Sequence, residues 1–180
     1  FATNQIEYGS LESLEITSVI FSLMNYWSLV ASVEEAIKRN ETFVDFDKSK
    51  YATGEYFEKY LNNDYAPKSE KVKKLFANHF IPSKDDWAKL AQDVQSYGLF
   101  HSYRLAVAPN GSISYINDCS SSIHPIIQRI EERQEKKIGK IYYPAYGLSA
   151  DSIPYYTSAY DMDMRKVIDV YAAATEHVDQ

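Results

Sequence analysis

Cysteine is nearly absent from this 180-residue chain, which has Cys119 as its single copy. One thiol can form neither an intrachain disulfide nor a thiolate zinc cluster, and such sparse usage is typical of a reducing compartment. We therefore expect a cytoplasmic protein. No nearby histidine, basic side chain or second cysteine is present to activate Cys119, so we interpret it as a small packing residue, not as a nucleophile or radical carrier.

Positive charge and long hydrophobic runs are also in short supply. Nineteen Lys and Arg residues face 25 Asp and Glu residues, and the net charge of −6 argues against a general nucleic-acid surface. The longest apolar stretch, residues 16–33, is interrupted by polar side chains at Thr17, Ser18, Ser22, Asn25 and Ser28. It predicts a buried helix, not a membrane span, so we expect neither nucleic acid nor membrane as a partner.

Histidine is sparse as well, and its four copies do not form a metal-binding pattern. His79, His101 and His177 are dispersed, without an HExxH motif or a pair four residues apart, so we expect no metal site. His124 lies close to the loop discussed below and could approach a ligand there. A hydrogen-bonded structural role is the more common one for a lone histidine.

Helical patterns dominate the first 103 residues. Ser10 can cap a long helix that we expect to reach about Arg39, and Ser83 can cap another that Gly98 ends. Weak alternation at residues 42–46 predicts an extended segment. Further helices are predicted at residues 53–61, 69–76 and 161–178, with a short turn or helix from Asp151.

The most informative stretch is RLAVAPNGSISYI at residues 104–116, where an apolar run breaks at a Pro-Asn-Gly turn. It predicts a strand, a tight turn and a helix start. Free N–H groups at a helix start can hold a phosphate, and Ser112 and Ser114 could add hydroxyl donors. The same letters also suit an ordinary turn followed by a serine-capped helix, so the pattern alone leaves both readings open.

The secondary structure of residues 125–143 is ambiguous. The charged run QRIEERQEKK at residues 128–137 favours a helix by propensity, whereas Gly139 followed by IYYP favours a returning strand.

Several blocks of sequence closely resemble the large, catalytic subunit of class Ib ribonucleotide reductases. The carrying blocks are APNGSISYIND at 108–118, SIHP at 122–125, RIEERQEKKIGKIYYPA at 129–145 and DVYAAATEHVDQ at 169–180. Shorter phrases extend the resemblance over almost the whole chain: IEYGS at 6–10, NYW at 25–27, FDKSKYA at 46–52 and YGL at 97–99.

The resemblance implies an α/β fold in which residues 1–180 form a single segment of the family's ten-stranded catalytic barrel. Within it we expect a mainly helical part (1–103), a strand-turn-helix phosphate loop (104–124), a hairpin (125–145, with its turn near 136–139) and a helical end (146–180).

The resemblance further implies reduction of ribonucleoside diphosphates to deoxyribonucleotides by thiyl-radical chemistry. Five residues would cradle the substrate diphosphate, largely through the backbone N–H groups that the turn offers: Pro109, Asn110, Gly111, Ser112 and Ile113. The implied partners are a radical-generating small (beta) subunit that carries the metal centre, a dithiol reductant protein and a second large subunit in a homodimer. No cofactor is expected in this segment itself.

Much of the family's machinery has no counterpart in these residues. The radical-bearing cysteine, the redox-active cysteine pair, the Asn and Glu partners and the C-terminal tyrosine relay are missing, and neither Cys119 nor Tyr142-Tyr143 lies in a matching context. With a start at Phe1 and no stop signal at the end, we expect a carboxyl-side piece of the subunit that is inactive alone. The alternative is a non-catalytic module that binds nucleotide phosphates or presents helices to a protein.

Overall fold

In a computed structural model, the protein is described for residues 1–117, 119–135 and 139–179, apart from the side chains of Ser112, Tyr115, Arg133 and Glu135. The chain forms two compact units. Unit 1 consists of Phe1–Thr17 and Val107–Thr175, and unit 2 consists of Ser18–Ala106 with Glu176–Gln180.

Helices form most of the regular structure. The α-helices are α1 (Leu11–Arg39), α2 (Lys50–Thr53), α3 (Glu58–Asn62), α4 (Glu70–Phe76), α5 (Lys84–Tyr97), α6 (Ser112–Ile116) and α7 (Met164–Thr175). Short 3-10 helices lie at Ala2–Asn4, Phe46–Lys48, Glu55–Phe57 and Ile153–Tyr155. The strands are β1 (Ile130–Glu135) and β2 (Gly139–Pro144).

Unit 2 has the larger apolar core. The Tyr60 and Trp87 rings stack at its centre, with centroids 3.8 Å apart and planes 9° from parallel. The buried members of this core are Leu29, Val33, Phe57, Tyr60, Trp87, Leu90, Ala91, Val94 and Leu99. They come from α1, α3, α5 and the segments beside them, so the long first helix is held in place by its neighbours.

The polar residues of α1 explain why it is a core helix. By length and composition it could cross a membrane, the one such helix in the described part of the chain. However, Asn25 donates hydrogen bonds to the hydroxyls of Tyr56 and Tyr60, and the buried Ser32 hydroxyl accepts one from the backbone N–H of His101. These contacts to other segments support the predicted buried helix.

The start of α5 forms as its sequence predicts. Ser83 Oγ accepts a hydrogen bond from the Asp86 N–H at 3.2 Å, and the Asp86 carboxylate accepts one from the Ser83 N–H at 2.8 Å. This reciprocal capping box satisfies two amides that the helix leaves unpaired. The helix ends at Gly98, whose φ of +78° suits glycine, and a Cβ there would lie 2.3 Å from Thr42 Cγ2.

Three predicted elements outside the segment of the Pro-Asn-Gly turn differ from the structure. Residues 42–46 are not a strand: they form a turn leading into the Phe46–Lys48 3-10 helix. The helix predicted at 53–61 is divided at Gly54, which has a φ of +82°. The last helix covers Met164–Thr175, not 161–178, because the residues after it bond to other parts of unit 2.

Unit 1 contains the hairpin. Strands β1 and β2 pair antiparallel, with Ile130 opposite Pro144 and Glu135 opposite Gly139. The hairpin implied for this stretch is therefore present, and pairing between the strands overrides the helical propensity of the charged run. The predicted turn residues 136–138 lie outside the described part of the chain. A small core of Tyr8, Met162 and Val170 packs elsewhere in this unit.

Candidate functional site

The Pro-Asn-Gly turn leads directly into the five-residue helix α6. Gly111 is the N-cap residue, with φ −72° and ψ −85°, and the Ser114 N–H donates to the Gly111 carbonyl at 3.2 Å. Helix geometry leaves the N–H groups of Ser112 and Ile113 without an acceptor in their own helix. The turn therefore presents consecutive backbone donors, as the phosphate hypothesis requires.

Gly111 faces open space. A Cβ built on this residue meets no atom within 4 Å, and its φ is one that any residue can adopt. The fold therefore does not require glycine at this position. The Ile113 side chain beside it is 58% exposed, so the turn is accessible from solvent.

The prediction that two serine hydroxyls donate to the phosphate has a different outcome for each serine. Ser114 is buried and its Oγ donates to the Gly111 carbonyl at 2.5 Å, so its proton is committed within the turn. The prediction of Ser114 as a hydroxyl donor is therefore wrong. The Ser112 side chain lies outside the described residues, so its hydroxyl stays a prediction.

A following loop braces the turn. Ser121 Oγ donates to the Asn110 carbonyl at 2.8 Å, and the Cys119 N–H donates to the Ser114 carbonyl at 3.0 Å. Cys119 itself is exposed, so the packing role predicted for its side chain is wrong. These two hydrogen bonds, and not burial of the thiol, hold the loop against the turn.

The strand predicted before the turn is not formed. Residues 103–111 have no regular secondary structure, and among the described residues no strand runs beside them. A strand needs a neighbouring ladder of backbone groups. Here the N–H groups of Arg104 and Leu105 donate instead to the carboxylate of Asp179, at 2.6 and 2.9 Å.

The remaining sequence candidates do not converge on the turn. Half-buried His124 places Nδ1 3.1 Å from the Pro125 carbonyl, which fits the structural role. Tyr142 and Tyr143 are exposed on the hairpin. In the described part of the chain, no three His, Cys, Asp or Glu side chains come together as a metal site.

Sequence reasoning missed a buried polar cluster in unit 2. Arg104 lies at its centre and donates from Nη2 to Asp179 Oδ1 at 3.1 Å and to Asn25 Oδ1 at 3.2 Å. Its Nε donates to Ser28 Oγ at 3.2 Å, and its guanidinium lies 5.0 Å from the centre of the Tyr51 ring. The sequence shows a single arginine beside an apolar run, which is a weak indication of a buried charge. It does not show the partners of this arginine, because they are distant in sequence.

His177 is the second residue that was missed. It has no exposed surface, and its ring nitrogens lie 3.0 Å from Ser18 Oγ and 3.0 Å from the Tyr60 hydroxyl. Burial lowers the pKa of His177 to about 4, so the imidazole is neutral at physiological pH. It acts as a structural hydrogen-bonding group that joins the end of the chain to α1 and α3.

Comparison with known proteins identifies the family. Residues 1–180 match the family described as "Ribonucleotide reductase, barrel domain". The chain belongs to this family. As expected, it is an α/β segment of the ribonucleotide reductase barrel, about half helical and with two strands in the described residues.

Three similar proteins show which subunit the segment matches. The chain is 50% identical over 179 residues to "Ribonucleoside-diphosphate reductase NrdEB subunit alpha" and 45% identical to "Ribonucleoside-diphosphate reductase subunit alpha", both of Bacillus subtilis. It is 41% identical over 185 residues to the subunit alpha of Mycoplasma pneumoniae. These matches cover 99% of the chain but only 16%, 25% and 26% of the relatives' lengths. The ribonucleotide reductase chain thus corresponds to a segment of the large subunit.

Proposed function

We propose that this segment holds the diphosphate of a ribonucleoside diphosphate while the rest of a large subunit carries out the reduction. The observation that carries the proposal is the exposed turn at Asn110–Gly111, followed at once by helix α6, whose first two backbone N–H groups have no acceptor within the helix. The proposed ligand set is Pro109, Asn110, Gly111, Ser112 and Ile113.

The geometry suits an anion for two reasons. Backbone N–H groups at a helix start carry partial positive charge and are directional donors. The absence of a side chain at Gly111 leaves room for an oxygen to approach the backbone closely, since no atom of the described residues lies within 4 Å of the position that a Cβ would take. Holding the diphosphate fixes the ribose, and reaction rates depend strongly on such positioning.

The partners and location belong to the same proposal. We expect a small subunit with a radical metal centre, a dithiol reductant protein and a second large subunit as partners, in the cytoplasm.

Exposed apolar side chains support a barrel segment over a free-standing interaction module. On α1, Ile20, Met24 and Trp27 follow one helical face and are 41%, 47% and 51% exposed. An apolar face of this kind is typical of a surface that another part of a larger protein covers.

Titration of the 180-residue chain with inorganic pyrophosphate tests the proposal. We expect the amide resonances of Gly111, Ser112 and Ile113 to shift at millimolar pyrophosphate, while amides on α5 stay unchanged. Absence of any shift at the turn would overturn the diphosphate assignment.

Substitution of Gly111 separates binding from folding. Gly111→Val should lower the melting temperature only slightly, because its Cβ meets no atom of the described residues and only the N-cap of the short helix α6 is weakened, yet weaken pyrophosphate binding about tenfold or more by steric exclusion. Ala150→Val, which adds two methyl groups at an exposed loop residue of unit 1, is the control and should bind normally. Equal affinities of Gly111→Val and wild type would exclude close approach of the phosphate to this backbone.

A further inference from the structure

The Pro-Asn-Gly turn contains the one asparagine of this sequence that is followed by glycine, Asn110. Asparagine is a chemically labile residue, and a following glycine has no Cβ to hinder attack by its backbone nitrogen on the asparagine side chain. Both residues are exposed, and neither lies in a helix or a strand. The fold therefore leaves this pair open to water and outside any regular hydrogen-bond ladder.

The surroundings of Gly111 leave its backbone nitrogen accessible. No atom of the described residues lies within 4 Å of the position that a Cβ on Gly111 would take. The Gly111 N–H donates to the Pro109 carbonyl at 3.2 Å, across a turn of only three residues. This bond is at the long end of the usual range, so it restrains the nitrogen less than a helical hydrogen bond would.

Ser121 polarises the peptide group that joins the two residues. Its Oγ donates at 2.8 Å to the Asn110 carbonyl, whose carbon is bonded to the Gly111 nitrogen. A hydrogen bond of this kind stabilises negative charge that develops on the carbonyl oxygen. When the Gly111 N–H loses its proton, part of the charge moves onto this oxygen. The bond from Ser121 therefore favours the deprotonated nitrogen, which is the form that can attack.

We propose that Asn110 is a site of spontaneous deamidation, which introduces a carboxylate into the turn. The deprotonated Gly111 nitrogen attacks Asn110 Cγ, and the new N–C bond closes a cyclic succinimide. The side-chain nitrogen takes up a proton and leaves as ammonia. Water then opens the ring at either of its carbonyl groups and gives aspartate or isoaspartate at position 110. No electron is gained or lost, so the step needs no reactant except water.

The consequence for the turn rests on the proposed function. A carboxylate at position 110 would lie beside the backbone N–H groups that we expect to hold the diphosphate, and it would repel that anion. The isoaspartate product also lengthens the backbone by one carbon atom. Conversely, an anion that occupies the Gly111 N–H should protect Asn110, because the same nitrogen must be free to attack.

Peptide mapping of the 180-residue chain tests the modification itself. The folded chain is incubated at pH 8 without pyrophosphate, and aspartate and isoaspartate are measured in its proteolytic peptides by mass spectrometry. Asn63, which is exposed but followed by aspartate, is the internal reference. We expect Asn110 to be converted about tenfold faster or more, because only its neighbour lacks a Cβ. Equal rates at the two asparagines would overturn the proposal.

Gly111→Ala is the matched variant, because its added methyl group meets no described residue but hinders the attacking nitrogen. Conversion of Asn110 should slow about tenfold in this variant. An unchanged rate would overturn the proposed mechanism.

Comparison with the urea-unfolded chain tests the contribution of the structure. If the turn is as accessible as described, the folded and unfolded rates at Asn110 should agree within about tenfold. A far slower rate in the folded chain would mean that reaction needs rare opening of the fold, and it would overturn the proposal.

Pyrophosphate binding distinguishes this proposal from the proposed function. Chain that has been converted at Asn110 should bind pyrophosphate about tenfold more weakly than fresh chain, owing to charge repulsion. Saturating pyrophosphate should slow the conversion. Equal affinities of fresh and converted chain would overturn the effect on the turn. Failure of the fresh chain to bind pyrophosphate would refute the proposed function alone, since the rates at Asn110 and Asn63 decide the modification site without any anion.

Discussion

His177 shows how much a single buried polar residue can contribute to this fold. Its ring is fully buried and contacts hydroxyls from two helices, Ser18 on α1 and Tyr60 on α3. A neutral imidazole has one donor and one acceptor nitrogen, which two hydroxyl groups can satisfy. Protonation would place a charge in this buried site, and burial accordingly lowers its pKa to about 4.

We predict that acid destabilises the protein through His177. The folded-state pKa is lowered from 6.5 to about 4, so between these values the unfolded chain binds more protons, and the free energy of unfolding falls as pH falls through that window. The loss levels off below about pH 4 and amounts to roughly 3 kcal/mol at most. Urea unfolding at pH 7, 5.5 and 4 measures this loss in the free energy of unfolding.

His177→Gln should flatten this part of the pH dependence, while His79→Gln, at an exposed residue, should leave it as in the wild type. Parallel curves for wild type and His177→Gln would contradict the assignment to this imidazole.

Among the secondary-structure elements, some are determined by local sequence and others by pairing with a distant segment. The start of α5 is decided locally, because Ser83 and Asp86 satisfy each other's backbone N–H groups within one turn. The hairpin is decided by pairing: β1 carries a charged run of high helical propensity and becomes a strand only because β2 lies beside it.

Removing the cap should measure the local contribution. We expect Ser83→Ala to lower the free energy of unfolding by about 1 kcal/mol, since the Asp86 N–H loses its acceptor. Ser96→Ala near the end of the same helix is the control, because Ser96 donates only to the Gln92 carbonyl within the helix and should be nearly neutral. Equal effects of the two substitutions in urea unfolding would show that the capping box contributes little.

At the scale of the whole molecule, the two units differ in how much apolar surface they bury. Among the described residues, unit 2 has a cluster of nine buried core residues around the stacked Tyr60 and Trp87 rings, whereas the buried cluster of Tyr8, Met162 and Val170 in unit 1 has three. A larger buried apolar area gives greater resistance to denaturants.

We predict that unit 1 unfolds at lower urea concentration than unit 2. Both tryptophans, Trp27 and Trp87, lie in unit 2, so their fluorescence follows that unit alone, while far-UV circular dichroism follows both. The dichroism signal should begin to fall before the fluorescence changes. Coincident transitions would instead show a single cooperative unit.

Prediction from sequence succeeded where the signals are local. The long first helix, the Ser69 and Ser83 helix starts and the glycine that ends α5 follow from caps, periodicity and backbone freedom. It failed where a segment's partner is distant in sequence. The strand expected before Pro109 is absent because Asp179 occupies the hydrogen-bonding groups of Arg104 and Leu105, and no local pattern indicates that.

For the candidate site, too, local features could be predicted from the sequence and side-chain contacts could not. The sequence locates the turn and, through its resemblance, its family, and the match over residues 1–180 confirms the family. The diphosphate ligands stay a prediction. The structure corrects the chemistry at two residues: the Ser114 hydroxyl is used within the turn, and Cys119 is exposed.

Most of the helices and the turn at Pro109–Gly111 follow from residues that are neighbours along the chain, and so do the sequence blocks that indicate the family. Contacts between distant residues instead account for the strand in the charged run, for the burial and neutral state of His177, and for the hydrogen bonds from Arg104 and Leu105 to Asp179. Each of these depends on backbone pairing or desolvation by residues far away in sequence, and neither effect has a local sequence pattern.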